Sequence, residues 1–290
     1  MDLVLFHSGK LPLYLEYAFR QIRIFNPNLV VYFITDKENL NNDIFDKYNI
    51  TKANKDLYWS KEVGEFEVLY NKPGFWTITA TRLIYIKNFI RDNNFKDVYC
   101  FENDVLLYYD LSELHEVFLN NYKGLAITVG GVDKCMTGFM FIKDYKALEA
   151  MTDFFIMLLK QNSIREIRDK YKLEMVNEMT LMRIYFDEKG MGSLPTMPFG
   201  IEYNVSGFNS IFDPASWGQF VGGTTNGIPG AKPKDHYIGV MLENNPEFTV
   251  TWRKDNFGRK QPYFKYNDKE VRINNLHIHS KNLHLYMSND

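Results

Sequence analysis

The sequence predicts an α/β fold, in which helices flank a mixed, mostly parallel β-sheet and a loop-rich lobe follows in the second half. The chain opens with an apolar strand at 3–6, a helix at 11–25 with apolar residues at helical spacing, and a second buried strand at 29–34. This β-α-β order is typical of parallel strands joined by a right-handed crossover. Glycines, prolines and aromatic residues dominate 190–262, which predicts the loop-rich lobe.

The remaining elements follow from periodicity and punctuation. A helix is expected at 75–91, with an apolar stripe that begins at Trp76, and another is expected from Met175 to Phe186 with Asn177 as its N-cap. Segment 39–73 yields only a short helix near 40–47. Further strands are predicted at 98–101, 105–107, Leu125–Val129, 136–142, 248–252 and 271–273, and further helices at Leu111–Asn121, 143–161 and near 214–220.

The composition limits the classes of protein to which this chain can belong. The chain has 290 residues, is 45% hydrophobic and carries a formal net charge of −2 with scattered Lys and Arg, so a nucleic-acid partner is not expected. The start lacks the features of a signal peptide, and the longest apolar run is far too short to span a membrane. The two cysteines suggest neither a disulfide framework nor a zinc site. We therefore expect a soluble, cytoplasmic protein.

An acidic cluster lies between two apolar strands in the stretch DVYCFENDVLLYYD, residues 97–110. In an extended backbone Glu102 and Asp104 would point to one side and Asn103 to the other. Two carboxylates on one side form a candidate divalent metal site of oxygen ligands. A solvated acidic turn fits the same pattern.

Three of the six histidines fall within 277–284, in the segment NNLHIHSKNLH. In an extended strand His277 and His279 face the same side, and Lys281 joins them if the strand continues. Imidazoles suit a divalent metal and an ammonium suits an anion such as a diphosphate, but two histidines paired within a strand would look alike.

Other candidate positions come from the β-α-β opening and the aromatic residues. Ser8, Gly9 and Asp36 follow the first two strands, where ligands bind in parallel sheets. Arg82 lies at the edge of its helix stripe and could clamp a phosphate or simply reach water. In the loop-rich lobe, sugar-stacking candidates are Trp217, Trp252, Tyr203 and Phe208.

Together these features resemble the nucleotide-sugar-dependent glycosyltransferases of the GT-A fold. The likeness covers most of the chain: the β-α-β half, Arg82 before a strand, the acidic triplet shaped like the Asp-x-Asp motif, and HIHSK near the end. FDPASWGQFVGGT and NNLHIHSKNL resemble a bacterial and viral branch. A single domain 1–290 is implied, with a nucleotide-sugar half at 1–110 and an acceptor half at 111–290.

The resemblance implies roles for these residues. Asp104 would bind Mn²⁺ or Mg²⁺ on the donor diphosphate, His279 would complete the metal shell, and Glu102 would hold the ribose, a metal-bound water or the metal. Glu stands where the motif has its first Asp, so direct metal contact is less secure there. Arg82 and Lys281 would neutralise the phosphates. Ser8 and Gly9 with Asp36 would hold the nucleoside of a UDP- or GDP-linked sugar.

The expected reaction moves a sugar from a nucleotide-diphosphate sugar to a hydroxyl of a glycan or glycoconjugate. An inverting enzyme needs a carboxylate to deprotonate that hydroxyl, and Glu178 is the first candidate with Asp213 the second. A retaining enzyme would not need this base in the same place. A sugar nucleotidyltransferase, a metal-dependent hydrolase, and a sugar-binding or degenerate transferase-like module are alternatives.

Overall fold

The structure, a computed structural model, describes residues 1–72, 74–131, 133–197, 207–223, 250–266 and 269–288. The strands are β1 (Asp2–Phe6), β2 (Val31–Thr35), β3 (Thr51–Asn54), β4 (Val98–Phe101), β5 (Val105–Leu107), β6 (Leu125–Val129), β7 (Cys135–Ile142), β8 (Gly192–Leu194), β9 (Ser210–Ile211), β10 (Val250–Lys254), β11 (Lys260–Tyr266), β12 (Lys269–Ile273) and β13 (Asn275–His277). The α-helices are α1 (Leu15–Phe25), α2 (Ile44–Lys47), α3 (Lys61–Tyr70), α4 (Phe75–Asp92), α5 (Leu111–Asn121), α6 (Tyr145–Gln161), α7 (Ile164–Tyr171), α8 (Glu178–Lys189) and α9 (Trp217–Gly222). Short 3-10 helices cover Lys37–Asn39, Lys55–Tyr58 and Leu283–Leu285.

The main sheet has seven strands in the order β3-β2-β1-β4-β7-β6-β8. Strand β1 pairs in parallel with β2 and β4, β2 with β3, and β6 with β8, whereas β7 runs antiparallel to β4 and β6. The predicted mixed, mostly parallel sheet is therefore confirmed. The carboxyl ends of β1 to β4 meet the start of β7 at one edge, which is where ligands bind in such sheets.

Both faces of this sheet are covered, because alternate residues of each strand point to opposite sides. On β1, Val4 packs into the core beneath α3, α4, α6 and α8, whereas Leu3 and Leu5 pack into the core beneath α1 and α5. These buried apolar faces hold the strand ends rigidly, so the loops that leave them present side chains on a fixed frame.

A smaller sheet and a two-stranded ribbon complete the described structure. Strands β10, β11, β12 and β9 form the second sheet, and β5, which follows β4 in the chain, pairs antiparallel with β13. The β5–β13 ribbon joins the middle of the chain to its C-terminal segment.

The sequence missed β3, α3, α7, β8, β9 and β11. Strand β3 is a short, polar, partly exposed edge strand, and α3 has a weakly amphipathic sequence interrupted by Gly64, so neither carries a strong period. Among the predicted sugar-stacking residues, Trp217 and Phe208 are buried in the core and Trp252 packs against Tyr108. Tyr203 and much of the predicted lobe lie outside the described residues.

Candidate active site

The acidic triplet forms a turn at the end of β4. The Val105 N–H donates to the Glu102 carbonyl (3.0 Å), and the Asn103 amide donates to the Phe6 carbonyl at the end of β1 (3.0 Å). Glu102 and Asp104 face the opposite way. As predicted, Glu102 and Asp104 therefore point to one side and Asn103 to the other. A turn anchored to β1, and not an extended strand, produces this arrangement.

The β5–β13 ribbon brings the histidine segment to this turn. His277 pairs with Val105, and the Ile278 N–H donates to the Asp104 carbonyl (2.9 Å). The His277 Nε2 atom consequently lies 3.1 Å from Asp104 Oδ1 and 3.4 Å from Glu102 Oε2. Although Asp104 and His277 are 173 positions apart in the sequence, backbone pairing holds their side chains together.

Asp104, His277 and His279 each offer one ligand atom, and these atoms lie within 4.8 Å of one another. The sequence prediction favoured His279, and the structure places both imidazoles in the group, with rings 4.2 Å apart at an interplanar angle of 81°. His277 Nε2 lies directly between the two carboxylates, whereas His279 Nδ1 lies 2.7 Å from the Gln219 amide nitrogen. Gln219 was not predicted as a site residue from the sequence.

Two cations compensate the charge of the acidic turn. The Lys281 ammonium contacts Asp104 Oδ2, and the Arg82 guanidinium lies 2.6 Å from Glu102 Oε1 and contacts the Thr137 hydroxyl. Thr137 in turn donates to Glu102 (2.7 Å). The Lys281 side chain lines a cavity beside the histidines. Arg82 lies behind Glu102, where it orients that carboxylate, and it does not line the cavity.

These contacts set the ionisation of the carboxylates. Burial by itself would raise both pKa values, but Arg82 and His277 lower the pKa of Glu102 to about 2. His277 and Lys281 hold the pKa of Asp104 well below its usual range. Burial alone would lower the pKa of His277, but the charge of Asp104 outweighs burial, and the pKa of His277 is raised. Burial and the neighbouring His277 lower the pKa of His279 to about 3. Both carboxylates are therefore charged at neutral pH.

Asp213 is fully buried and accepts four backbone hydrogen bonds. Its Oδ1 accepts from the N–H groups of Ser216 (2.7 Å) and Trp217 (2.8 Å), and its Oδ2 accepts from those of Gly218 and His277 (2.8 Å each). The carboxylate thus ties the start of α9 to the end of β13. An acceptor hydroxyl finds no vacant oxygen there, so this geometry is that of a positioning residue and not of the second candidate base.

Two glycines allow this close packing around His277. A Cβ atom at Gly138 would lie 2.9 Å from His277 Nδ1, and one at Gly218 would lie 2.1 Å from the His277 carbonyl oxygen. Glycine at these two positions provides space, because β7 and α9 approach the imidazole and its backbone from two sides.

Glu178 lies on the same cavity as the metal-ligand candidates. It is the first residue of α8, its Oε2 accepts from the Thr79 hydroxyl of α4 (2.9 Å), and Asn177 caps the helix as predicted. The cavity has a volume of about 400 Å³, and its lining combines titratable groups with apolar side chains. The lining residues are Phe75, Trp76, Thr79, Glu102, Asp104, Lys134, Met136, Thr137, Gly138, Glu178, Met179, Ala215, Gln219, His277, His279 and Lys281.

Burial of Glu178 has two consequences. It raises the pKa of the carboxyl above its usual value, against the opposing charge of Arg82. A carboxylate with a raised pKa is a better proton acceptor than an ordinary one. Met179 is half-buried and lines the cavity next to Glu178.

The predicted nucleoside-binding residues form a separate cluster at the sheet edge. The Gly9 N–H donates to Asp36 Oδ2 (2.6 Å), and Lys55 donates to both Ser8 Oγ (2.7 Å) and Asp36 Oδ1. Ser8, Gly9 and Asp36 lie together, as their positions after β1 and β2 indicate. Lys55 was not predicted, because β3 and the turn after it were not. Gly9 has φ +97°, and a Cβ there would meet nothing within 4 Å, so its outer side is open.

No protein-family model and no curated protein sequence matches this chain. Among the described residues, no helix has the length and apolar character needed to cross a membrane.

Solved structures do resemble it. Mouse xyloside xylosyltransferase 1 is 9% identical, covers 66% of this chain and 83% of its own, and has a TM-score of 0.48. The glycosyltransferase GlyE of Streptococcus pneumoniae is 15% identical over 67% of this chain and 45% of its own, with a TM-score of 0.43. The galactosyltransferase LgtC, with donor and acceptor sugar analogues, is 17% identical over 69% of this chain and 74% of its own, with a TM-score of 0.42. Each of these likenesses is partial and has a TM-score below 0.5.

Proposed function

We propose that this protein is a metal-dependent glycosyltransferase that moves a sugar from a nucleotide-diphosphate sugar to a hydroxyl of a glycan or glycoconjugate. The observation that carries the proposal is one cavity in which Asp104, His277 and His279 converge, with Lys281 at their side and Glu178 on the wall. A metal site, a cation for phosphate and a buried base are the groups that this reaction needs.

The donor set fits Mn²⁺ or Mg²⁺. A buried carboxylate with two imidazoles suits Mn²⁺ in particular, since nitrogen ligands favour transition metals over Mg²⁺. Ligation through His279 Nε2 requires the Nδ1–H tautomer. The Gln219 side-chain amide would then be flipped from its orientation in this structure, so that its oxygen accepts that hydrogen. Such a partner on the second ring nitrogen is usual for a metal-bound histidine. Glu102, fixed by Arg82 and Thr137, would hold a metal-bound water or the donor ribose.

A bound metal ion would supply Lewis-acid stabilisation of the diphosphate leaving group. The protein supplies the rest of the charge. Lys281 is 38% exposed, so its ammonium can leave Asp104 and contact a phosphate oxygen at the cavity mouth. Arg82 contributes indirectly, because its pairing with Glu102 keeps that carboxylate charged and in place.

Glu178 is the proposed general base. In an inverting reaction the acceptor oxygen attacks the anomeric carbon, the bond from that carbon to the diphosphate oxygen breaks, and the acceptor proton passes to a Glu178 oxygen. The leaving electron pair stays on the diphosphate, next to Lys281. The Thr79 hydroxyl holds one Glu178 oxygen and so orients the other toward the cavity.

The nucleoside would lie over the cluster of Ser8, Gly9, Asp36 and Lys55. This cluster stands at the carboxyl ends of β1, β2 and β3, and its hydroxyl, carboxylate and ammonium groups can bind ribose and base atoms of a UDP- or GDP-linked sugar. Residues 1–110 would then form the donor half and 111–290 the acceptor half.

A thermal-shift panel tests the proposal. UDP, GDP, CDP and ADP are each added with and without MnCl₂, and hydrolysis of the matching nucleotide sugars is followed by release of the nucleoside diphosphate. We expect one nucleotide to raise the melting temperature only when Mn²⁺ is present, with hydrolysis that stops on addition of a chelator. Stabilisation by free glycans alone, without nucleotide or metal, would contradict a transferase and indicate a sugar-binding module.

A further inference from the structure

The wall of the cavity next to Glu178 carries an aromatic pair at the start of α4. Phe75 is 68% exposed although it lines the cavity, and its ring lies 5.2 Å from that of Trp76 at an interplanar angle of 73°. Large apolar side chains are usually buried, and an exposed one at a cavity rim is informative when other lining residues converge on the same space. Among the cavity-lining residues that the structure describes, only Phe75 is large, apolar and exposed.

The local backbone holds this pair in place. Gly74 precedes the helix with φ +74°, a conformation that glycine adopts readily, and α4 begins directly with Phe75. Phe75 and Thr79 are four residues apart, and Trp76 and Thr79 are three apart, so the three side chains share one helix face. Thr79 donates to Glu178. The aromatic rings, the hydroxyl and the carboxylate therefore form one continuous amphipathic wall.

We propose that Phe75 and Trp76 form an acceptor subsite that binds a pyranose ring, with one C–H face of the sugar stacked on Phe75 and its hydroxyls directed to Glu178. This inference rests on the proposed function and extends it by assigning the residues that bind the acceptor sugar. A pyranose has an apolar face and a polar rim, which match an aromatic ring beside a carboxylate and a threonine hydroxyl. Met136 and Met179 add apolar surface on the same cavity.

The observation also separates donor from acceptor. The nucleoside cluster of Ser8, Gly9, Asp36 and Lys55 lies at the ends of β1 to β3, and none of its members lines this cavity. The metal-ligand candidates line one part of the cavity, and side chains of α4 and α8 line another. A sugar on Phe75 would thus approach the metal-bound donor from the side that carries the proposed base.

Saturation-transfer NMR with simple sugars tests the subsite without any turnover. The probes are the methyl glycosides of glucose, galactose, mannose, N-acetylglucosamine and xylose, and UDP with Mn²⁺ serves as the donor-side probe. The proteins are the parent chain, Phe75→Ala, Phe75→Tyr to restore a ring, and Phe257→Ala as control, since Phe257 is 82% exposed and absent from the cavity lining. Melting curves check the fold of each variant.

We expect at least one glycoside to bind the parent, with affinity lowered about three- to tenfold in F75A, restored in F75Y and unchanged in F257A. In turnover with that glycoside, the ratio of transfer to donor hydrolysis should fall in F75A by a similar factor. No glycoside signal in the parent, or equal affinities in F75A and the parent, overturns the subsite. So does a glycoside signal that stays constant while the UDP signal falls, which assigns Phe75 to the nucleobase.

The two proposals fail in different ways. Metal-dependent donor hydrolysis by the parent tests the transferase and needs no acceptor. Hydrolysis without any effect of Phe75 on glycoside binding removes the subsite alone. Phe75-dependent glycoside binding without hydrolysis of any nucleotide sugar removes the transferase and leaves a sugar-binding site.

Discussion

Substitution of Asp104 by asparagine is the sharpest test of the proposed metal centre. Asparagine has nearly the same shape but carries no charge, so it removes the partner of His277 Nε2 at 3.1 Å and of the Lys281 ammonium. Breaking a wholly buried ion pair costs about 3–5 kcal/mol of unfolding free energy. Lys281 is 38% exposed and can turn to water, which reduces the expected loss to about 1–3 kcal/mol. The variant should therefore fold.

Activity should fall much more than stability. Loss of one preorganised group that stabilises transition-state charge costs about 100- to 1000-fold in rate, and we expect D104N to lose metal-dependent donor hydrolysis by at least that factor. Titration calorimetry should show weaker Mn²⁺ binding. The assay is release of nucleoside diphosphate from the donor found in the thermal-shift panel, measured across a range of MnCl₂ concentrations.

The matched control is Asp255→Asn. Asp255 carries the same functional group and pairs with Arg259 in a turn after β10, outside the lining of the cavity. D255N should keep the parent rate and the parent metal dependence. If D104N hydrolyses the donor at the parent rate with the parent's response to Mn²⁺, Asp104 is no metal ligand and the proposed centre is wrong.

Three other substitutions separate further roles. Glu178→Gln should lower transfer by about 100- to 10,000-fold while donor binding persists in thermal shift, and unchanged transfer would remove Glu178 as the base. Burial raises the pKa of Glu178 above the usual 4.5, so the ionised carboxyl destabilises the fold. The melting temperature of E178Q should therefore exceed that of the parent by a margin that grows as pH rises above 4.5. Parallel curves of melting temperature against pH would contradict this. Gly138→Ala should weaken Mn²⁺ binding about 10- to 100-fold in calorimetry, since the new Cβ would lie 2.9 Å from His277 Nδ1, whereas Gly124→Ala meets its nearest atom at 4.0 Å and should not. Asp213→Asn should cost about 2–5 kcal/mol of unfolding free energy in urea, because an amide nitrogen would face backbone N–H groups; a loss below 1 kcal/mol would remove its positioning role.

Elements with strong local signals were predictable. Helix α5 and strand β6 have the bounds that the sequence indicated, because a capped amphipathic run and a short apolar run are each decided by neighbouring residues. The same holds for Asn177, whose capping of α8 is a contact over three residues. Most of the secondary structure in segment 39–73 was not predicted, because local residues do not decide it. Its strand β3 is stabilised mainly by pairing with β2, and its own side chains are polar.

The site was predictable in its residue types and not in its connections. Carboxylates beside a strand end and alternating histidines are chemically conspicuous, so Asp104, His279 and Lys281 could be named in advance. The roles of His277 and Gln219 depend on the β5–β13 register and on the packing of α9, which a linear pattern does not encode. Composition likewise cannot distinguish Trp217, buried in the core, from Phe75, exposed on the cavity.

The charges around the cavity favour a diphosphate over a neutral ligand. Without a metal, the two negative charges of Glu102 and Asp104 are compensated by Arg82 and Lys281. Glu178 must be ionised to act as the proposed base, and it then adds one further negative charge. A divalent ion bound to Asp104 and neutral imidazoles would still leave an excess of about one positive charge at the cavity, which is costly unless an anion enters with it. A nucleoside diphosphate carries a compensating charge, whereas a free glycan does not. Because Arg82 already compensates Glu102 and Lys281 already compensates Asp104, we expect the proposed metal and donor to bind together. The proposed sugar acceptor is neutral, so we expect it at the aromatic part of the wall.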